Sequence, residues 1–178
     1  MATENNKSPT TIHKYNAGMF GGKFIPFHKG HLFCIDYAAS ICAKLYVILF
    51  FGGADEDYIL SQEQHSIAPE LLSVESRISH IKRATSWYPN VEFITIDISN
   101  LKNPDGSDNW DLETDLVIKA CGHFDIVFSG SEEYYKPYFD RAYPWADFMV
   151  IDPGRTKYSI SATMIRMMEE DEELKWLV

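Results

Sequence analysis

Cysteine is scarce in this 178-residue chain, and the three present (Cys34, Cys42 and Cys121) are odd in number and form no Cys-x-x-Cys pair. That argues against a disulfide framework or a zinc ribbon and points to a reducing cytoplasm. Cys34 and Cys42 fall in an apolar helical pattern and read as small buried hydrophobes. No apolar run approaches the roughly 20 residues that span a bilayer. The longest, Leu45 to Phe51, has the length of a buried strand. Basic residues are outnumbered 26 to 16 by acids, for a formal charge of −10. That charge disfavours nucleic acid and anionic membranes as partners of the chain as a whole, and no membrane or nucleic-acid role is expected. An anionic small molecule would need cations gathered locally. Lys23, Lys29, Arg155, Lys157 and Arg166 all adjoin the motifs below.

Repeats and low-complexity linkers are missing too, so residues 15–178 are expected to form one domain. Residues 1–14 are polar, lack the apolar core of a secretion signal and read as a disordered lead-in. Hydrophobic residues make up 46% of the chain, enough at this length for a core without metals or disulfides.

Strand and helix patterns alternate. Met19 to Phe24 reads as a strand, and Leu32, Ile35, Ala38, Ala39 and Cys42 recur at helical spacing. Lys44 to Phe51 is a strand covered on both faces, ending at Gly52-Gly53. Ala54 to Leu72 is irregular and reads as loop with some helical turn. Ser73 to Trp87 is an amphipathic helix capped by Ser73, with Arg77 and His80, like Asp36 earlier, taken as surface residues without a role. Val91 to Ile98 alternates as a strand, Asn100 to Asn109 is a loop, and Trp110 to Ala120 returns to helical spacing. Phe124 to Ser129 and Phe148 to Asp152 are two more strands, flanking an aromatic helix over Glu132 to Tyr143 near Pro137. The aromatics Tyr134, Tyr135, Tyr138, Phe139, Tyr143 and Trp145 read as packing. A final helix runs from Ser161, and the acids Glu169 to Glu173 read as its solvated end. This order predicts an α/β, Rossmann-like, doubly wound sheet of about five parallel strands with helices on both faces. Ligands of such sheets bind at the carboxyl ends of the strands, where Gly22, Gly52, Ser129 and Asp152 fall.

Two constellations carry chemistry. In Gly22-Lys-Phe-Ile-Pro-Phe-His-Lys-Gly-His31 an apolar strand breaks at a glycine pair and restarts as a helix. His28 and His31 there read as donors to phosphate oxygens, helped by backbone N–H groups of the following helix start. No third ligand at zinc-like spacing accompanies them. In Ile160-Ser-Ala-Thr-Met-Ile-Arg166, Ser161 is a natural cap, with Thr163 and Arg166 on the first turns. An anion site and an ordinary capped helix are both open for that stretch. Together the two look like jaws for a triphosphate.

At these residues the chain resembles the nucleotidylyltransferase superfamily, whose signatures are (H/T)xGH and ISxTxxR. Val127-Phe-Ser-Gly-Ser-Glu132 and Val150-Ile-Asp-Pro-Gly-Arg-Thr156 are similar to the NMN adenylyltransferase domain of the bacterial NadR type. The resemblance implies transfer of AMP from ATP to nicotinamide mononucleotide (NMN), giving NAD and pyrophosphate by direct attack without a covalent enzyme intermediate. It implies His28, His31 and Lys23 as catalytic residues. Gly22, Phe24, Ser129, Arg155, Ser161, Thr163 and Arg166 join the histidines at ATP. Lys23, Phe24, Gly52, Gly53 and Trp110 would meet NMN, with Trp110 stacked on the pyridine ring. Mg²⁺ is expected on the ATP phosphates, without direct protein ligands, and a homo-oligomer is compatible. NadR-type proteins also carry a kinase domain, but no GxxxxGK(S/T) loop occurs here.

Several of these residues have a second reading. Gly52-Gly53 also reads as a plain tight turn, Trp110 as a helix-start anchor, and Ser129 as a strand terminator. Asp152 and Arg155 either touch nucleotide or fix a turn. The acceptor is open among phosphopantetheine, FMN and nicotinate mononucleotide, a cytidylyltransferase is a relative reading, and a non-catalytic nucleotide sensor is the alternative from another class. A class I aminoacyl-tRNA synthetase fragment lacks support, since neither a KMSKS-like loop nor a basic surface is present.

Overall fold

The computed structural model describes residues 13–62, 67–168 and 172–178. Among these residues five strands form one sheet: β1 (Tyr15–Gly22), β2 (Cys42–Phe51), β3 (Val91–Asp97), β4 (Ile126–Ser129) and β5 (Asp147–Val150). All pairings are parallel and the order is β3-β2-β1-β4-β5. The α/β reading therefore holds. The chain builds outward from β1 to β3, then crosses back to β4 on the other side of β1. That reversal opens a crevice at the carboxyl ends of β1 and β4.

Side chains alternate across the sheet, so one strand serves two cores. Leu45, Val47 and Leu49 pack with Phe20, Ile126 and Phe128 against α1 (Lys29–Ile41) and α4 (Val74–Thr85), through Ile35, Ala38 and Ile81. Tyr46 and Ile48 face the opposite way with Met19 and Val127. They pack against α5 (Trp110–Cys121) and α6 (Lys136–Ala142), through Val117, Cys121 and Phe139. The uninterrupted apolar run of β2 is a consequence of cover on both faces. Where α1 meets the sheet, Gly18 leaves no room for a side chain: a Cβ there would lie 2.7 Å from both Cys42 Sγ and Phe128 Cε2.

Several elements differ from the sequence reading. Ala54 to Leu72, expected as loop with some helical turn, holds the two-turn helix α2 (Ala54–Ser61) and the single turn α3 (Pro69–Leu72). Its helical signal was electrostatic rather than apolar: Asp55, Glu56 and Asp57 occupy the first turn, where the helix dipole favours acids. Cys42 does not continue α1 but opens β2, because the chain turns extended directly after Ile41. The helix expected from Glu132 starts as a 3₁₀ turn (Glu133–Tyr135) and becomes α6 only at Lys136, with Pro137 in its first turn. The last helix, α7 (Ala162–Arg166), is five residues long. β1 begins at Tyr15 because the Asp125 carboxylate accepts the amides of Asn16 and Ala17 at 2.8 and 3.0 Å.

Of the expected lead-in, residues 1–12 lie outside the described residues, and Lys14 donates its amide to the Ile41 carbonyl at 2.9 Å. Of the acidic run, residues 169–171 lie outside them, and Glu173 is buried at 5% exposure rather than solvated. The aromatic run is split: Tyr143 is core, whereas Tyr134 is 78% exposed. Cys34 and Cys42 are buried free thiols, as expected, and Cys121 is buried as well; burial pushes Cys34 and Cys42 up to about 12 and Cys121 to about 11. Among the described residues no helix is long and apolar enough to cross a membrane.

Candidate active site

The crevice at the β1/β4 ends is a cavity of about 540 Å³. Its first wall is the turn from β1 into α1. His28 is the N-cap of α1, and its Nδ1 accepts the Gly30 amide at 3.1 Å. His31, at the third position of the helix, answers with Nδ1 accepting the His28 amide at 3.4 Å. The result is a capping box built from two imidazoles in place of the usual hydroxyl and glutamate. Their rings lie 3.7 Å apart, centroid to centroid. An imidazole whose Nδ1 accepts carries its proton on Nε2, so both rings present Nε2–H as their remaining donor. Burial, with Arg155 beside it, lowers His28 to about 4. Burial, His28 and Arg155 hold His31 well below the ordinary histidine value. Both are neutral at pH 7.

The other amides at this helix start are spent. Lys29 donates to the Trp176 carbonyl at 2.9 Å, and His31 and Leu32 donate to the His28 carbonyl. The backbone donors expected there are thus engaged within the protein, which leaves the two Nε2–H groups. Phe24 packs its ring edge-on to His31 at 4.9 Å with φ of +50°, a conformation unfavourable for a bulky residue. Such strain persists only where neighbours impose it, and commonly at ligand sites.

Behind this turn lies a buried ion pair. Arg77, fully buried, binds Glu56 and donates to the Lys23 carbonyl at 2.7 Å. Glu56 also accepts the Gly52 amide at 3.1 Å. One arginine thereby fastens the turns after β1 and β2 together, and it is not the surface residue expected from the helical pattern. The Lys23 ammonium lies 3.1 Å from Asp108 and 3.4 Å from Asp55. Asp108 also accepts the Ala54 amide at 2.6 Å. Burial alone would raise Asp108, but the Ala54 amide and Lys23 outweigh it and hold it below the ordinary carboxylate value.

On the β4–β5 side the Ser129 hydroxyl donates to the Glu132 carbonyl at 2.9 Å, closing the turn after β4. Asp152 is buried, and its carboxylate accepts the amides of Thr156, Lys157 and Tyr158 at 2.8 to 3.1 Å, so it fixes the turn before α7. Arg155 pairs with Glu132 at 2.8 Å and has φ of +53°. Ser161 caps α7 by accepting the Met164 amide at 3.1 Å. The far wall belongs to α5. Trp110 stands edge-on to Tyr138 at 4.9 Å and near Tyr135 at 5.9 Å. One turn on, Glu113 is half-buried with Oε1 out of water and unpartnered. Burial, then Asp108, raises its carboxyl to about 7.

Of the residues singled out in the sequence, Gly22, Lys23, Phe24, His28, His31, Trp110, Ser129, Arg155, Ser161 and Thr163 line this cavity. Gly52 and Gly53 are not lining residues. Gly52 takes φ of +82°, and a Cβ on Gly53 would lie 2.8 Å from the Asp108 carboxylate, so both serve the turn into α2. Arg166 points inward, donating to the Ile25 carbonyl and to Thr163 Oγ1 at 3.1 Å. The sequence reading missed Asp108, Glu113, Tyr135 and Tyr138. Asp108 carried a usable signal, since it directly precedes Asn109, the N-cap of α5. Nothing in one sequence marks Glu113 or Arg77 apart from other charged helix residues.

A glycine-broken β1, a histidine-capped α1 at the switch point and a capped turn opposite define a nucleotidyltransferase-class domain. Residues 19–168 match the cytidylyltransferase-like family model, and the chain belongs to that family. Among curated relatives it is 24% identical over 155 residues to the trifunctional NAD biosynthesis/regulator protein NadR of Escherichia coli K12, covering 86% of this chain and 37% of that one. It is 25% identical over 157 residues to NadR of Salmonella typhimurium, covering 85% and 36%. The chain thus spans just over a third of these relatives' length. In fold it is similar to a crystal structure of NadR protein in complex with NR (TM-score 0.63, 21% identity, 93% of this chain and 43% of that one). It is also similar to a bifunctional NMN adenylyltransferase/ADP ribose pyrophosphatase from Francisella tularensis (TM-score 0.57, 18% identity, 85% and 41%).

Two outcomes follow from the buried charges. Arg77→Met strands the Glu56 carboxylate and should cost about 3–5 kcal/mol in urea unfolding, most of it recovered by adding Glu56→Leu. Glu113 binds its proton more tightly folded than unfolded, so its ionisation destabilises the fold as pH rises from its ordinary value through about 7. Glu113→Gln should therefore gain stability over wild type at pH 8 and show less gain at pH 5, measured by urea midpoints at both.

Proposed function

We propose that this domain transfers AMP from ATP to NMN, forming NAD and releasing pyrophosphate. The observation that carries the reading is the pair of neutral imidazoles with Nε2–H free at the switch-point crevice, facing an aromatic wall. An NMN phosphate oxygen, already ionised at pH 7, attacks the α-phosphorus of ATP while the bond to pyrophosphate breaks. No protein nucleophile takes part. Charge grows on the equatorial oxygens and the leaving group, and donors fixed in advance at those positions lower the barrier. His28 and His31 supply such donors, with His31 nearer the transition state, and Lys23 and Arg155 add positive charge.

Ser161 and Thr163 serve the β- and γ-phosphates, with Arg166 bracing Thr163 from behind. Gly22 and Ser129 let the adenosine side approach backbone. Phe24 lies between the two nucleotides, and Trp110 stacks on the cationic pyridine ring. The turn at Gly52 and Gly53 supports the acceptor side through Glu56 and Asp108.

The lining residues include five acids (Asp55, Asp108, Glu113, Glu132 and Asp152) against Lys23 and Arg155. A triphosphate entering so acidic a crevice needs added positive charge, which fits Mg²⁺ carried on its phosphates. When bound, the ion would neutralise charge on the β- and γ-phosphates. Among the described residues no group of three or more His, Cys, Asp or Glu side chains is placed to hold a metal on its own.

The test is an acceptor panel with ATP and Mg²⁺: NMN, phosphopantetheine and FMN. NAD and pyrophosphate are expected with NMN, and turnover of another acceptor in place of NMN overturns the assignment. His31→Ala should lower kcat by roughly 10²-fold or more, and a near-wild-type rate removes His31 from the mechanism.

A further inference from the structure

Among the described residues, Glu113 is the one cavity-lining acid left without a task. Asp108 binds Lys23 and the Ala54 amide, Asp55 binds Lys23, Glu132 binds Arg155, and Asp152 holds its own turn. Glu113 Oε1 is shielded from water with no hydrogen-bond partner, although the side chain lines the crevice. With Oε1 shielded and the carboxylate lacking a donor, a ligand that brings an N–H to the crevice side of the group is favoured.

Its position says which ligand group that is. Glu113 follows Trp110 by three residues on α5, so both project from the same face into the crevice. A flat ring lying on Trp110 therefore holds its substituent within the reach of Glu113. The surroundings are acidic, with Asp108 and Asp55 nearby and Lys23 already paired to both. That setting favours a cationic ring bearing an N–H donor and opposes one bearing a carboxylate.

We infer that Glu113 selects the acceptor nucleotide, accepting the carboxamide N–H of a nicotinamide ring on Trp110 and repelling the carboxylate of the corresponding acid. The inference rests on the proposed pyridine-nucleotide reaction. With nicotinate, two carboxyl groups meet in a wall that also contains Asp108. Either one must take up a proton or the pair repels.

The experiment compares kcat/KM for NMN and nicotinate mononucleotide in wild type, Glu113→Gln and Glu113→Ala, with KM for ATP as the reference. Wild type should favour NMN by 10-fold or more. Both variants should reduce that ratio at least 10-fold, chiefly through the acceptor KM, while KM for ATP stays within about two-fold. Gln keeps the shape of the side chain, so a change shared by Gln and Ala reports charge rather than packing. A ratio that stays at the wild-type value in active variants overturns the role of Glu113 and leaves the reaction standing. Absence of turnover with either pyridine nucleotide in wild type overturns the proposed function, and the inference with it.

Discussion

The hydrogen bond from the Gly30 amide to His28 Nδ1 organises the crevice. It begins α1 and sets the His28 tautomer, leaving Nε2–H as the remaining donor of a ring that lines the cavity. His31 repeats the arrangement one turn on by accepting the His28 amide. A hydroxyl cap would begin the helix equally well, but its own O–H sits at the cap and reaches less far than the Nε2–H on the far side of an imidazole ring. The backbone needs of the helix and the chemical needs of the site are met by the same two rings. The contacts around them serve that geometry: Phe24 packs against His31, and Arg77 ties the Lys23 carbonyl to α4.

Charge is arranged in two layers. The deep layer is the Arg77–Glu56 pair, dry and fully satisfied, joining the turns after β1 and β2. The outer layer lines the crevice, where Lys23 and Arg155 are each held by carboxylates. A guanidinium or ammonium restrained in this way keeps its place when the crevice is empty and is neutralised there. An incoming phosphate competes for the same cations. This explains how a chain with a formal charge of −10 can hold an anionic crevice in shape. It also explains why the neutral histidines carry so much of the reading: they add donors at no cost in charge repulsion.

Much of this was legible in the sequence. The β2 run and the glycine breaks at its end and at Gly22 marked a doubly covered parallel sheet, since burial on both faces removes polar alternation. His28 and His31 were legible because they follow a glycine-broken strand at a strand-to-helix turn, and Ser161 because capping is a local, short-range act. Arg77 was not legible: at helical spacing it looks solvent-facing, and only the packing of α4 against the β1 turn buries it. Glu113 was hidden for a related reason, because its burial beside Asp108 in the crevice is a tertiary effect that helical spacing does not show. α2 escaped notice because it is held by the Asp108 cap and its acidic first turn rather than by an apolar stripe. Arg166 matched a signature, yet its guanidinium reaches back to the Ile25 carbonyl, a long-range contact that spacing does not reveal.

The central claim is that two neutral imidazoles offer Nε2–H to nucleotide phosphates. Long-range ¹H–¹⁵N correlation spectra of the histidines at pH 7, with and without a non-hydrolysable ATP analogue and Mg²⁺, test it most directly. His28 and His31 should both show the neutral Nε2–H tautomer in the free protein, and both Nε2 signals should shift on nucleotide addition. An Nδ1–H tautomer at either residue, or spectra unchanged by saturating nucleotide, would contradict it.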